Sequence, residues 1–230
     1  MHNFSPQSRQ PESASISRSA FTLTELLVVI GIIALIAVVS VPAYNAFNQS
    51  QSLTRGASDL SLLLEYARTE AVARQTYVWV GAEKIDLSGR PGLAFGAVYS
   101  KDGTGTNLAA ANLAPLNRAF QVAGVVMVPW GDLRTSTRTT YSGPTPASVA
   151  TNTAGVPFQL GAQSFTGKTL TFTPRGEALL TGSVTPDEGY SEAIDISLRQ
   201  TKGPAVQPDS DDLALLITGS TGIVRLIRVQ

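Results

Sequence analysis

The sequence predicts an α+β protein in which a long N-terminal helix, membrane-spanning in its first half, packs on a mostly antiparallel β-sheet. Three observations lead there. An uncharged apolar run follows Glu25, with no charge before Arg55. Behind it, Leu53, Ala57, Leu60, Leu64, Ala67 and Ala71 recur at helical spacing. From Thr76 onward the pattern turns to short runs of Val, Ile and Thr cut by Gly and Pro.

The elements follow in chain order. Residues 1–20 are polar, Ser-rich and without periodicity. A helix over Phe21–Val41 is about 32 Å long, enough to cross the hydrocarbon core of a bilayer. Arg9 and Arg18 precede the run, and no Lys or Arg follows it until Arg55. The positive-inside rule therefore leaves residues 1–20 in the cytoplasm and exports the rest. Pro42 interrupts the run without ending the helix and marks a kink. The segment 43–75 continues as an amphipathic helix whose apolar stripe needs a partner. Glu70 and Arg74 stand i,i+4 in the favourable order. The helix thus runs from about Thr22 to about Gln75.

Residues 76–230 form the β-rich domain. Tyr77–Val80 reads as a strand ending at Gly81, and Leu93–Tyr99 as a second. Phe120–Val128 is a third, stopped by Pro129. Residues 131–157, rich in Thr, Ser, Gly, Pro and Ala, read as a long surface loop. Lys168–Thr173 and Glu192–Leu198 alternate as strands, with Ala193, Asp195 and Ser197 opposite Ile194, Ile196 and Leu198. Leu213–Thr218 and Ile223–Val229, joined at 219–222, read as a terminal hairpin. The helix stripe is the natural lid of this sheet.

Composition narrows the chemistry. Lys+Arg and Asp+Glu are both 17, so no global basic excess recruits nucleic acid. There is no Cys, which excludes disulfides and thiolate chemistry. The one His is His2, near the N-terminus. No imidazole base and no Cys/His metal site remain in the rest of the chain. No catalytic residue, cofactor or metal is expected. A tethered enzyme is disfavoured on the same ground.

The string Ser19-Ala20-Phe21-Thr22-Leu23-Thr24-Glu25-Leu26-Leu27-Val28-Val29-Ile30 resembles the class III signal of type IV pilins and type II secretion pseudopilins. The resemblance implies a prepilin leader at 1–20, cut by a membrane aspartyl peptidase between Ala20 and Phe21. It also implies N-methylation of Phe21. Ala20 departs from the family's usual Gly but keeps a small residue. Glu25 matches the family's fifth-position glutamate and Pro42 its helix-kinking proline. An acidic group at membrane depth costs roughly 2.5–3.5 kcal/mol on insertion scales and needs a partner. In the family that partner is the N-terminal amine of a neighbouring subunit. A local role for Glu25 also exists: a capping box with Thr22 as N-cap. The implied partners are prepilin peptidase, sister pilin or pseudopilin subunits and the inner membrane. The competing reading of the N-terminus is a secretory signal peptide cleaved near Val41-Pro42-Ala43.

Two further strings are similar to H-type minor pseudopilins and the related FimT-like minor pilins: Leu63 to Gln75 before a Val-rich strand, and Leu170 to Gly176. The Ala20-Phe21 junction also resembles that of the Verru_Chthon cassette protein D family. The expectation is a structural minor subunit of a type II secretion or type IV pilus-like filament, with its C-terminal domain periplasmic or extracellular. The alternative is a DNA- or surface-binding minor pilin. For it, Arg225 and Arg228 are the candidate nucleic-acid contacts, although two arginines neutralise few phosphates, and outward charges that guard an edge strand against aggregation explain them more readily. Asp209, Asp211 and Asp212, and Asp187 with Glu188, are acidic clusters more readily explained as solvated loops than as calcium ligands. Gly103 and Gly105 lack the Lys and the strand-to-helix setting of a phosphate loop.

Overall fold

The structure, a computed structural model, describes residues 22–181, 191–202 and 205–228, with backbone alone at 39–50 and 202. The expected leader, Ala20, Phe21, Asp187 and Glu188 lie outside the described residues. The chain divides into two compact units between Tyr44 and Asn45.

Helix α1 (Leu23–Arg74) has 52 residues and matches the expected span within a residue or so. Its C-terminus closes as a Schellman turn. Gln75 takes a positive φ of 52°, the Thr76 N–H donates to Ala71 O at 3.0 Å, and the Gln75 N–H donates to Val72 O at 3.3 Å. Glycine usually occupies that position. Here the Gln75 side-chain amide donates to Val72 O as well, offsetting part of the strain. Among the described residues no helix is long and apolar enough to cross a membrane. The described side chains of the apolar run end at Val38, short of the roughly 20 residues a spanning helix needs.

Among the described residues the globular unit has two six-stranded sheets and a two-stranded hairpin rather than the single sheet expected. The first is built around β1 (Val78–Asp86), β2 (Pro91–Ser100) and β9 (Thr169–Phe172), with β3 (Leu113–Pro115), β4 (Phe120–Ala123) and β10 (Ala178–Leu179) alongside. The second centres on β11 (Ala193–Lys202). It pairs with β13 (Asp212–Thr218), β5 (Val125–Val128), β12 (Ala205–Val206) and β6 (Ala147–Ser148), while β14 (Val224–Ile227) pairs with β13. All these pairings are antiparallel except β6 with β11.

One core serves the helix and both sheets. The expected stripe Leu53, Ala57, Leu60, Leu64, Ala67 and Ala71 is buried against Val78, Val80, Leu93 and Phe95 of the first sheet and Ile194, Ile196, Leu215 and Ile217 of the second. Each buried Leu in such a core contributes about 1.5–3 kcal/mol.

Each sheet also has a cover on its other face, and here the sequence reading needs correction. Strand β1 does not stop at Gly81 but runs on to Asp86. Gly81 sits opposite Gly96, and a Cβ on Gly81 would meet the rings of Phe158 and Phe165 at 2.8 Å. The two glycines admit the hairpin β7 (Pro157–Leu160) and β8 (Gln163–Thr166), whose stacked Phe158 and Phe165 join Trp79 and Val98 in a second cluster. The expected strand Phe120–Val128 is broken at Gly124, where φ is 77°. Its halves join different sheets, β4 beside β2 and β5 beside β11. The expected surface loop 131–157 carries a 3-10 turn at Trp130–Asp132, the short helix α2 (Thr135–Thr139) and β6. Trp130 and Leu133 seal the outer face of the second sheet against Val126, Val128, Ala214 and Leu216.

Because of that cover, both faces of β11 are buried, and Asp195 is 0% exposed. Its Oδ2 accepts from Ser197 Oγ at 2.6 Å and Ser148 Oγ at 3.3 Å, while Oδ1 has no partner. Burial pushes this carboxyl up to about 6, against the hydrogen bonds that hold it down. The folded state then binds a proton that the unfolded state has released, so stability falls as pH rises from about 4 to 6 and stays lower above. Asp195→Asn is expected to raise the melting temperature at pH 7–8, by the equivalent of about 2–3 kcal/mol, and to leave it nearly unchanged at pH 4. Thermal melts at the two pH values check this; equal effects at both would show that Asp195 is not titrating.

Candidate assembly surfaces

The N-terminal end of α1 is a capping box. The Thr22 N–H donates to Glu25 Oε2 at 3.1 Å, and the Glu25 N–H donates to Thr22 Oγ1 at 3.2 Å. This local role, read from the sequence, is therefore present, and Thr22 Oγ1 adds a second donor to the same carboxylate oxygen at 3.0 Å. Behind it every described side chain through Val38 is exposed, with Leu23 at 79% and Val38 at 74%. A Cβ on Gly31 would meet nothing within 4 Å. A helix apolar on all sides is stable only under cover, from other helices or from lipid. Pro42 lies within the helix, its side chain outside the description.

In the globular unit α1 keeps one exposed strip. Leu62 is 67% exposed and Tyr66, one turn on, 45%. Charges flank it: Arg55 with Asp59, and Arg74 paired with Glu70 while its guanidinium lies 4.7 Å from the Tyr99 ring centroid.

The acidic groups named in the sequence do not converge. Asp209 is exposed, Asp211 pairs with Arg134 at 3.5 Å, and Asp212 is buried. Among the described residues no group of three possible metal ligands exists. Asp212 instead organises the cover of the second sheet. It accepts from the Arg134 N–H at 2.7 Å, Thr137 Oγ1 at 2.6 Å and Arg199 at 3.2 Å. Arg199 also donates to Asp132 O. Burial pulls the Asp212 carboxyl up, yet these hydrogen bonds together outweigh it and hold it below its ordinary value. Sequence reasoning missed this cluster. Asp195, Ser197 and Arg199 lie on one face of β11, and that polar alternation reads as a solvated face unless the cover is known.

Gly103 takes a positive φ of 75° in a turn organised by Asp102. The Asp102 carboxylate accepts from the Thr104 N–H at 2.9 Å, Ser100 Oγ at 2.7 Å and Asn107 Nδ2 at 2.6 Å, which hold it well below the usual carboxylate range. The Asp102 carboxylate is thus satisfied within the turn itself.

Arg225 and Arg228 are not brought together. Arg228 Nη1 donates to Thr54 Oγ1 of α1 at 3.0 Å. Arg225 lines a cleft of about 520 Å³ on the outer face of the second sheet, with Tyr141, Leu216 and Ile227. Three residues apart on an extended strand, they point to opposite faces.

A family model described as type II transport protein GspH matches residues 56–201, well over half of the chain. The matched stretch begins in the amphipathic part of α1 and ends in β11. No curated protein and no solved structure matches significantly.

Proposed function

We propose, given that the chain belongs to the GspH family of type II transport proteins, that it is a structural minor pseudopilin subunit of an envelope secretion filament. In this reading prepilin peptidase cuts between Ala20 and Phe21 and the new amine is methylated. The first half of α1 then passes from the inner membrane into the filament, packing with sister helices, and the globular unit stands in the periplasm or outside. The observation that carries the reading is the division of α1. Its second half is committed to the core of the family-matched domain. Its side chains from Leu26 to Val38 are apolar and exposed on every side, directly behind Glu25. A helix built only to complete the globular domain has no use for that first half.

The DNA-binding alternative gains nothing from the geometry, because Arg228 is tied to α1 and Arg225 lies on the other face.

The deciding experiment is intact mass and N-terminal sequencing of protein extracted from the envelope. The expected product starts at Phe21 and carries one methyl group. A start at Tyr44 would make the chain an exported soluble protein, and an unprocessed Met1 an ordinary anchored one.

A further inference from the structure

The free edge of β14 is the least explained surface of the globular unit. Among the described residues β14 closes the order β12-β11-β13-β14, with no strand beyond it. The Thr218 N–H donates to Ile223 O at 3.0 Å, and Leu216 pairs with Arg225 in the same register. By the alternation of antiparallel ladders, Arg225 and Ile227 direct their backbone groups at β13, as Ile223 does its C=O, while Val224 and Leu226 direct theirs outward. Arg225 puts one charge on this edge, between apolar neighbours. Ile223 is 52% exposed and Leu226 55%. Natural edges are usually blunted by Lys, Pro or a bulge. Here α1 is tied to the two ends, through Arg68 Nε to Thr221 O at 2.7 Å and Arg228 to Thr54, and the apolar middle is left open.

Charge marks what fits. Arg225 is exposed and, among the described residues, has no ion-pair partner. It lines the cleft whose other lining includes Tyr141, Ile227 and Glu192. Glu192 precedes β11, two strands from β14 and three residues along from the row Asp195, Leu216 and Arg225, roughly 14 Å away at 4.8 Å per strand and 3.3 Å per residue. A strand added beyond β14 would lie a further strand from Glu192 and next to Arg225. We propose that β14 is a strand-addition site for an extended segment of a partner protein that alternates acidic and apolar residues. Its backbone pairs with the N–H and C=O groups of Val224 and Leu226. Its acidic side chains, on the outer face, meet Arg225, and its apolar ones lie beside Leu226 on the inner face. The proposal rests on β14 alone and is independent of processing at Phe21.

The test uses the full chain in detergent micelles and two six-residue peptides, one alternating glutamate and valine, the other lysine and valine. Hydrogen–deuterium exchange by mass spectrometry reads the segment 223–228, and fluorescence anisotropy reads affinity. The glutamate peptide is expected to slow exchange in that segment and to bind about tenfold more tightly than the lysine peptide. Arg225→Glu, at an exposed position, is expected to reverse the preference. Leu226→Pro removes an outward N–H without costing a β13 bond and is expected to abolish binding of either peptide. Equal binding of both peptides, or protection elsewhere, would overturn the proposal. So would protection that depends on protein concentration without peptide, which would assign the edge to a second copy. Displacement of the glutamate peptide by duplex DNA at Arg225, with DNA protecting the same segment, would overturn it in favour of a nucleic-acid contact.

Discussion

The Glu25→Ala chain is expected to be processed normally and then to fail to join the filament. The substitution leaves Ala20 and Phe21 untouched, so the junction seen by the peptidase is unchanged. It removes a charge from an apolar segment, which eases insertion into the bilayer. It also deletes one half of the capping box, because Glu25 Oε2 is the acceptor for the Thr22 N–H. That local loss is worth about 1 kcal/mol. In the proposed filament the assembly loss is larger, since an amine left among apolar helices without its carboxylate costs about 3–5 kcal/mol, a factor of roughly 150 to several thousand in occupancy. Glu25→Gln separates the two: its side-chain carbonyl can still cap Thr22, but it cannot neutralise an amine. Crosslinking and co-purification of the processed variants with their sister subunits measure the outcome. Incorporation of Glu25→Gln at the wild-type level would sink the assembly role and leave capping as the whole function of Glu25.

Asp212→Ala is expected to destabilise the globular unit by about 3–5 kcal/mol, a large share of the stability of a domain this size. The variant strands the buried Arg199, which is 6% exposed, with only Asp132 O as a partner, and releases Arg134 and Thr137 from the sheet. The cover that Trp130 and Leu133 form over β13 then loses its polar anchor. Urea unfolding gives the number, and a loss below about 1 kcal/mol would reduce the cluster to an ordinary surface pair. The pH dependence has the opposite sign to that of Asp195. A carboxyl held below its unfolded value contributes stability above about pH 4 and loses it as pH falls through the folded value. Asp195→Ala with Asp212 intact should therefore keep the acid-side loss.

What was legible in the sequence is what local pattern encodes. The stripe from Leu53 to Ala71 gave α1 nearly to the residue, and the turn at 219–222 gave the β13–β14 hairpin. The Thr22–Glu25 box is an i,i+3 relation and was equally visible. What failed depends on distant partners. The segment after Trp130 looks like a loop because its anchor, Asp212, lies 78 residues beyond Arg134. Gly81 looked like a strand end because the aromatic rings that require a glycine there arrive with Phe158 and Phe165. Two sheets looked like one because alternation says which face a residue takes and nothing about which sheet holds it. The separation of Arg225 from Arg228 was within reach of spacing alone, since an odd interval on a strand reverses the face.

The break at Gly124 has a consequence for how the domain opens. The four residues before it are hydrogen-bonded into one sheet and the four after it into the other. Neither sheet can peel away without dragging the neighbouring half-strand out of its own ladder, and both ladders border the common core. The domain is thereby deprived of a cheap sub-global opening, the kind that in other folds exposes one layer to proteases while the rest stays intact. The crossing at Gly124 thus makes loss of structure in this domain an all-or-none event.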